Sequence, residues 1–275
     1  MRSISNTIQI KAGQPSKISM RELWLYRELF YFFAWRDIKV RYKQTVIGVF
    51  WAVLQPVLAT GVFIIVFNLI AGIKSADIPY PIFAYLGMLY WNVFSGSLNT
   101  VANSLINNQG VLTKIYFPRI IPPLSALAVS IVDFLFASTF FVVILFIYKL
   151  VPPTQFFLVA LPALLMAALA AFGAGTFFAA LNVKYRDIRA ALPFLTQIVF
   201  FMTPVIYPVS LVPERFQDYV YLNPIAGALN LVRGGLYNEP INWTGLGVSG
   251  LIIAVAIVIG IWYFKRVEKA FVDII

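Results

Sequence analysis

A chain of 275 residues that is 61% hydrophobic and only 12% charged lies outside the composition of soluble domains, so its apolar surface calls for lipid. It has no cysteine and no histidine, which excludes disulfides, thiolate or imidazole metal sites, cysteine nucleophiles and the commonest general base. The net charge of +10 is spread among loops between apolar runs rather than gathered into one basic domain, which points to membrane orientation and away from nucleic acid.

Residues 1–19 are polar and carry no apolar core followed by a small-residue cleavage pattern, so no removable signal peptide is predicted. The first long apolar run is expected to target the chain. Met20 to Lys43 is aromatic and basic. On a helical wheel Leu23, Phe30, Ala34 and Ile38 share one side, and Arg21, Glu28, Arg36, Lys39 and Lys43 fall opposite. This predicts an amphipathic interface helix in which Arg27 and Arg41 interrupt the apolar side and snorkel. The residues leave two roles open, an anchor on anionic lipid or a docking surface for a partner.

Six runs are long enough to cross a hydrocarbon layer of about 30 Å as helices, near 49–71, 80–105, 120–148, 154–181, 193–210 and 244–264. Helices satisfy their own backbone in lipid, and no ten-residue alternation suggests a barrel. The predicted fold is therefore an all-α integral membrane protein with six transmembrane helices. Nine Lys and Arg precede Gly48, two stand at Lys114 and Arg119, three run from Lys184 to Arg189, and three lie from Lys265 onward. The alternate loops hold Lys74, Lys149, Arg215 and Arg233. That bias puts both termini in the cytoplasm, which requires an even number of crossings. The expected organisation is a cytoplasmic segment over 1–48, a six-helix domain over 49–265 and a cytoplasmic tail over 266–275.

Within these spans, Ala163, Ala167, Ala171, Gly175 and Ala179 recur every fourth residue, a stripe for close helix packing. Leu211 to Trp243 is too apolar for an ordinary loop and too short to span. Punctuated by Pro213, Pro224, Gly234, Gly235 and Pro240, it reads as short re-entrant helices or as two surface helices on the ends of the spans.

Chemistry is sparse. No Gly-Lys dipeptide occurs, so a phosphate-binding loop of the Walker type is absent. Asp133 is the one carboxylate well inside an apolar run. It is a candidate for proton coupling, but without successive titratable groups the better reading is a carboxyl that orders helix packing, with Ser95 or Asn99 as partners. Tyr85, Tyr90, Trp91 and Phe94, with Phe200, Phe201 and Tyr207, are candidates for a substrate path, because flat rings carry a sugar face or a lipid chain without fixed register. Aromatic residues also gather at membrane interfaces for ordinary reasons. The loops NNQGVLTKIYFPR and NVKYRDIR mix charge, turn residues and aromatics, and each is suited to a short helix along the membrane or to a solvated positive loop. A membrane-embedded glycan-modifying enzyme is disfavoured, since no carboxylate pair occupies a plausible common site.

Taken together, RDIKVRYKQTVIGVFWAVLQP from Arg36 to Pro56, the loop ending in YFPR at Arg119, NVKYRDIR from Asn182 to Arg189, and VPE, LNP and Arg233 near the end resemble a known family. It is the membrane subunit of type-2 ATP-binding-cassette exporters, especially the polysaccharide permeases for O-antigen, capsule or teichoic acid. The resemblance implies a homodimer bound to two copies of a separate cytoplasmic ATPase, which holds the ATP and Mg, in a bacterial cytoplasmic membrane. This chain would carry no cofactor, no metal and no catalytic residue. Asn107, Gln109, Lys114, Tyr116 and Arg119, with Lys184, Tyr185, Arg186, Asp187 and Arg189, become the coupling candidates. Arg36, Lys39, Arg41 and Lys43 would lie on the interface helix at the edge of the ATPase contact, which favours docking over simple anchoring. Pro213, Asn223, Pro224 and Arg233 would mark the outer re-entrant segment. A lipid-linked polysaccharide is the implied substrate, with lipid or drug exporters as the alternative within the family.

Overall fold

A computed structural model describes residues 20–43, 48–73, 78–185, 187–238 and 240–268. Among them all regular structure is helical. Arg186, Lys74 and the tail from Lys269 lie outside the described residues.

The chain begins with α1 (Met20–Leu25) and α2 (Arg27–Lys43). Next comes α3 (Phe50–Phe63), continued by a π-helical stretch over Ile64–Ile70. α4 (Tyr80–Asn107) leads through the single turn α5 (Gln109–Leu112) to α6 (Ile121–Ile147). Pro122 and Pro123 sit in the first turn of α6, where a missing amide costs nothing. α7 (Thr154–Lys184) is followed by α8 (Asp187–Met202), α9 (Glu214–Val220), α10 (Pro224–Tyr237) and α11 (Trp243–Glu268). Five of the six predicted runs match a helix, though ends differ by up to four residues.

Four helices are long and apolar enough to cross a membrane: Phe50–Ile70, Ile121–Ile147, Thr154–Lys184 and Trp243–Glu268. α4 is as long, but Asn92, Ser95, Asn99 and Asn103 lower its hydropathy. α8 departs furthest from the predicted run at 193–210. It starts earlier and stops at Met202, because Pro204 has no amide to continue the ladder and the chain bends through Val205 and Ile206.

α7 is the central post, packed against α4, α10 and α11. Its small-residue stripe is buried throughout. On the α11 side the backbones nearly touch: a Cβ on Gly173 would lie 2.7 Å from the Ile257 amide nitrogen, and one on Gly260 would lie 2.2 Å from the Gly173 carbonyl oxygen. Only glycine fits that approach.

α2 largely keeps the sides of its helical wheel: Phe30 and Ile38 are half-buried beside Ala34, and Glu28, Lys39 and Lys43 are exposed. Phe33 and Ala34 are buried, while Tyr31, Phe32 and Trp35 are exposed. The helix packs along α6, with Phe33 against Phe117 (ring centroids 5.6 Å apart) at one end and Tyr42 against Phe136 (5.7 Å) at the other. Arg36 is the departure from the polar side, since it reaches in to Asn108. Arg27, expected to snorkel, donates to the Trp24 carbonyl and covers the Trp24 ring.

Candidate functional site

Two polar sites and a buried clasp stand out. At the basic end, α4 closes at Asn107, and Asn108 donates its side-chain amide to the Ser104 carbonyl (2.7 Å). The Asn108 amide oxygen in turn accepts from the Arg36 guanidinium of α2 at 2.5 Å, while Arg36 also pairs with Asp37 at 2.6 Å. Phe117 tucks under Phe33, and Leu105, Leu112, Phe117, Val183 and Phe264 share one apolar cluster with Phe33. The two predicted coupling segments therefore rest on one base. From it project the exposed side chains of Asn107, Gln109, Lys114 and Tyr116, with Arg119 half-buried behind them. Across the cluster, Lys184, Tyr185, Asp187 and Arg189 are exposed, and the Lys184 ammonium lies 5.1 Å from the Tyr185 ring centroid. The first segment contains the one-turn α5, whereas the second has no helix of its own before α8.

Asp133 lies about halfway along α6, and its partners are not those expected. Asn99 donates to the Ser95 carbonyl of its own helix. Asp133 instead pairs with Arg41 (2.6 Å) and accepts from the Tyr42 hydroxyl, both on α2. Burial and then the facing carboxylate push Tyr42 ionisation well above its usual range, so the phenol remains a donor. Sequence could not supply this pairing, since it joins positions 91 residues apart through the docking of α2. A cavity of about 130 Å³ opens beside the pair, lined by Gln55, Asn92, Ser95 and Ser130 among others. Lys39 stays exposed with its ammonium 5.4 Å from the Trp35 ring, and Lys43 is exposed.

The aromatic candidates divide. Tyr85, Tyr90, Trp91 and Phe94 are buried among the helices, and the two tyrosine hydroxyls donate to the Ala137 and Ala160 carbonyls. Phe201 is exposed, while Phe200 and Tyr207 are half-buried, with Phe200 5.2 Å from the Trp91 ring centroid.

At the opposite end, Pro213 opens the exposed α9, and Asn223 caps α10 by accepting from the Ile225 amide, with Pro224 in the first turn. α10 ends at Asn238, which adopts the left-handed conformation (φ 56°). Eleven of its fourteen residues are buried, including Arg233. Arg233 was counted with the outer loop charges, but its guanidinium donates to the Pro204 (2.6 Å), Val205 (2.7 Å) and Phe83 (3.3 Å) carbonyls and lies 3.6 Å from the Phe83 ring centroid. It clasps the bend that ended α8. Gly87 leaves the room, for a Cβ there would stand 2.6 Å from the Val205 oxygen and 2.7 Å from Arg233. Tyr80 donates to the next carbonyl, Ile206, at 2.7 Å. A cavity of about 290 Å³ lies beside the clasp. No cluster of three metal-ligating side chains occurs among the described residues.

Four helices of membrane-spanning length and apolarity in an otherwise helical chain are the architecture of a multi-pass membrane protein. Residues 28–237 match the ABC-2 type transporter family model, and the chain belongs to that family. It is similar to an O-antigen export system permease protein RfbA of Klebsiella pneumoniae, 26% identical over 87% of this chain and 92% of the relative. An RfbA permease of Myxococcus xanthus is 30% identical over 80% of this chain and 84% of the relative. The polysialic acid transport protein KpsM of Escherichia coli is 22% identical over 86% and 92% respectively. Permeases of this family work with an ATP-binding-cassette ATPase on a separate chain.

Proposed function

We propose that this chain is the permease subunit of an exporter that moves a lipid-linked polysaccharide across a bacterial cytoplasmic membrane. In this reading two copies form the conduit, and two copies of a cytoplasmic ATPase drive it with ATP and Mg. The observation that carries the proposal is the near full-length similarity to permeases named for O-antigen and polysialic acid transport.

Six crossings by α3, α4, α6, α7, α8 and α11 fit the charge bias, with both termini cytoplasmic and α9 and α10 forming a re-entrant outer segment. The polar residues of α4 and the short α8 are compatible with crossing when they face protein or a polar path instead of lipid. Asn107 to Arg119 and Lys184 to Arg189 form the ATPase contact, supported by their common apolar base. Asp133, already held by Arg41 and Tyr42, acts as a docking point for α2 and not as a proton relay.

The test is reconstitution. Proteoliposomes holding this chain and its ATPase should translocate lipid-linked polysaccharide only with ATP and Mg. Transport by the chain alone without nucleotide, or transport of free lipid or drug but no glycan, would reject the reading.

A further inference from the structure

α6 and α7 both pack on α4, but toward the α10 end they leave a furrow between them. It is a cavity of about 440 Å³, within the roughly 300–1,000 Å³ typical of ligand pockets. Its floor is buried, with Leu86 and Tyr90 from α4, Phe141 from α6 and Phe156 from α7, the last two rings 6.2 Å apart. Its lips are bare apolar side chains: Phe146 is 86% and Val151 87% exposed, and Val142 and Phe157 are exposed beside them. The two hydroxyls in the wall donate to backbone carbonyls, Ser138 to Phe134 (2.7 Å) and Tyr90 to Ala160 (3.1 Å). Such a wall suits hydrocarbon and offers a sugar little to bond.

Length and charge narrow the occupant. From Phe134 to Phe146 the α6 wall runs about 18 Å at the helical rise, close to the roughly 15 Å of one leaflet of the hydrocarbon core. α6 and α7 are both apolar helices of membrane length, so the lips face acyl chains. At the mouth, the turn between these helices supplies Leu150, Val151 and Pro152 to the lining, and Lys149 stands exposed immediately before them. Lys149 holds φ 53° at the end of α6, a conformation that favours glycine, yet the sequence places an ammonium there. A positive charge at the mouth of an apolar furrow one leaflet deep is complementary to a phosphate carried on an acyl chain.

We infer that this furrow binds a resident phospholipid with an anionic headgroup, one acyl chain lying between α6 and α7 and the phosphate against Lys149. That the lipid belongs to the outer leaflet rests on the orientation proposed above. The lipid is not cargo: buried side chains seal the floor, so the furrow opens sideways to the bilayer and not into the bundle. A second copy seated on these lips would have to strip Lys149 of solvent without offering the lipid's charge in return.

The test uses the permease with its ATPase in nanodiscs of phosphatidylcholine. A trace of phosphatidylglycerol carries a photoactivatable diazirine midway along one acyl chain. Illumination should label Phe146, Val151 and Phe157 ahead of the similarly exposed Leu251 and Val258 of α11. Unlabelled phosphatidylglycerol should compete about fivefold better than phosphatidylcholine, the weight of one lysine at an anionic headgroup. Lys149→Gly, which suits the left-handed backbone, should keep the thermal midpoint in detergent and lose that preference. Ala160→Trp should fill the furrow and remove labelling at Phe146. Labelling spread evenly over α6, α7 and α11, no headgroup preference, a preference unchanged in Lys149→Gly, or cross-linking of Phe146→Cys between two copies would each overturn the inference. Displacement of the probe by lipid-linked polysaccharide would overturn it too, by making the furrow a cargo site. Nanodiscs expose both leaflets, so these readouts are independent of transport. Failure of the export reading shows instead as no glycan moved in proteoliposomes, with the labelling pattern intact. Lys149→Cys should react with an impermeant maleimide outside intact spheroplasts, and reaction only after lysis would overturn the outer-leaflet placement.

Discussion

The two ends of the helical bundle use arginine in opposite ways. At the α10 end, Arg233 is 7% exposed and donates to three backbone carbonyls beneath an aromatic ring. At the basic end, Arg36 is partly exposed and holds other side chains, Asn108 and Asp37. Carbonyls cannot change rotamer, so the first arrangement fixes a bend. Side-chain pairs that solvent reaches can part and re-form, so the second suits a region that must respond to a partner. The fold concentrates its rigidity at one end and its adjustable links at the other.

That contrast is broken most severely at Arg233. Arg233→Leu leaves three carbonyls without their donor, and a loss of roughly 3 kcal/mol or more, read as failure to accumulate or a collapsed thermal midpoint in detergent, is expected. Gly87→Val should act similarly by forcing the guanidinium off Val205. If Arg233→Leu folds normally, the clasp is not structural.

A smaller effect is expected at Asp133. Asp133→Asn should cost roughly 1–2 kcal/mol, because the amide still accepts from Tyr42 but no longer pairs ionically with Arg41. Export should survive in proportion to the protein that remains. Abolished export with full accumulation would instead revive proton coupling.

Next comes the Arg36 and Asn108 pair. In a double-mutant cycle with Arg36→Ala and Asn108→Ala, the coupling energy should be about 1 kcal/mol in stability. The same variants should also lower ATPase stimulation by the permease, because the link joins α2 to the first coupling segment.

The smallest structural effect belongs to the exposed Lys184 and Arg189. Their replacement by Gln should leave stability nearly unchanged, as for surface sites generally. Substrate-stimulated ATP turnover should nonetheless fall, and unchanged turnover would remove Lys184 and Arg189 from the coupling role.

How much of this was legible in the sequence follows from physical reach. Hydropathy located the apolar helices, and the four-residue stripe on α7 announced its packing face, because both are local patterns. The end of α8 was missed by several residues, although Pro204 was there to mark it, because the apolar run continues past the bend. Arg233 was read as a loop charge since backbone carbonyls leave no trace in side-chain identity. Asp133 was correctly singled out but given the wrong partners: its ligands come from α2, whose docking depends on tertiary contacts.

The π-helical stretch from Ile64 to Ile70 carries an implication for how this chain tolerates change in length. A π turn accommodates an extra residue relative to an α turn, so the stretch that continues α3 already contains the slack of a one-residue insertion. Removing one residue there lets the helix relax to α geometry while both flanks keep their register. The same deletion in α7 would rotate the stripe from Ala163 to Ala179 by about 100° on one side of the cut and set side chains against the α11 backbone. Length variation among descendants of this sequence should therefore collect in the first span and avoid the central one.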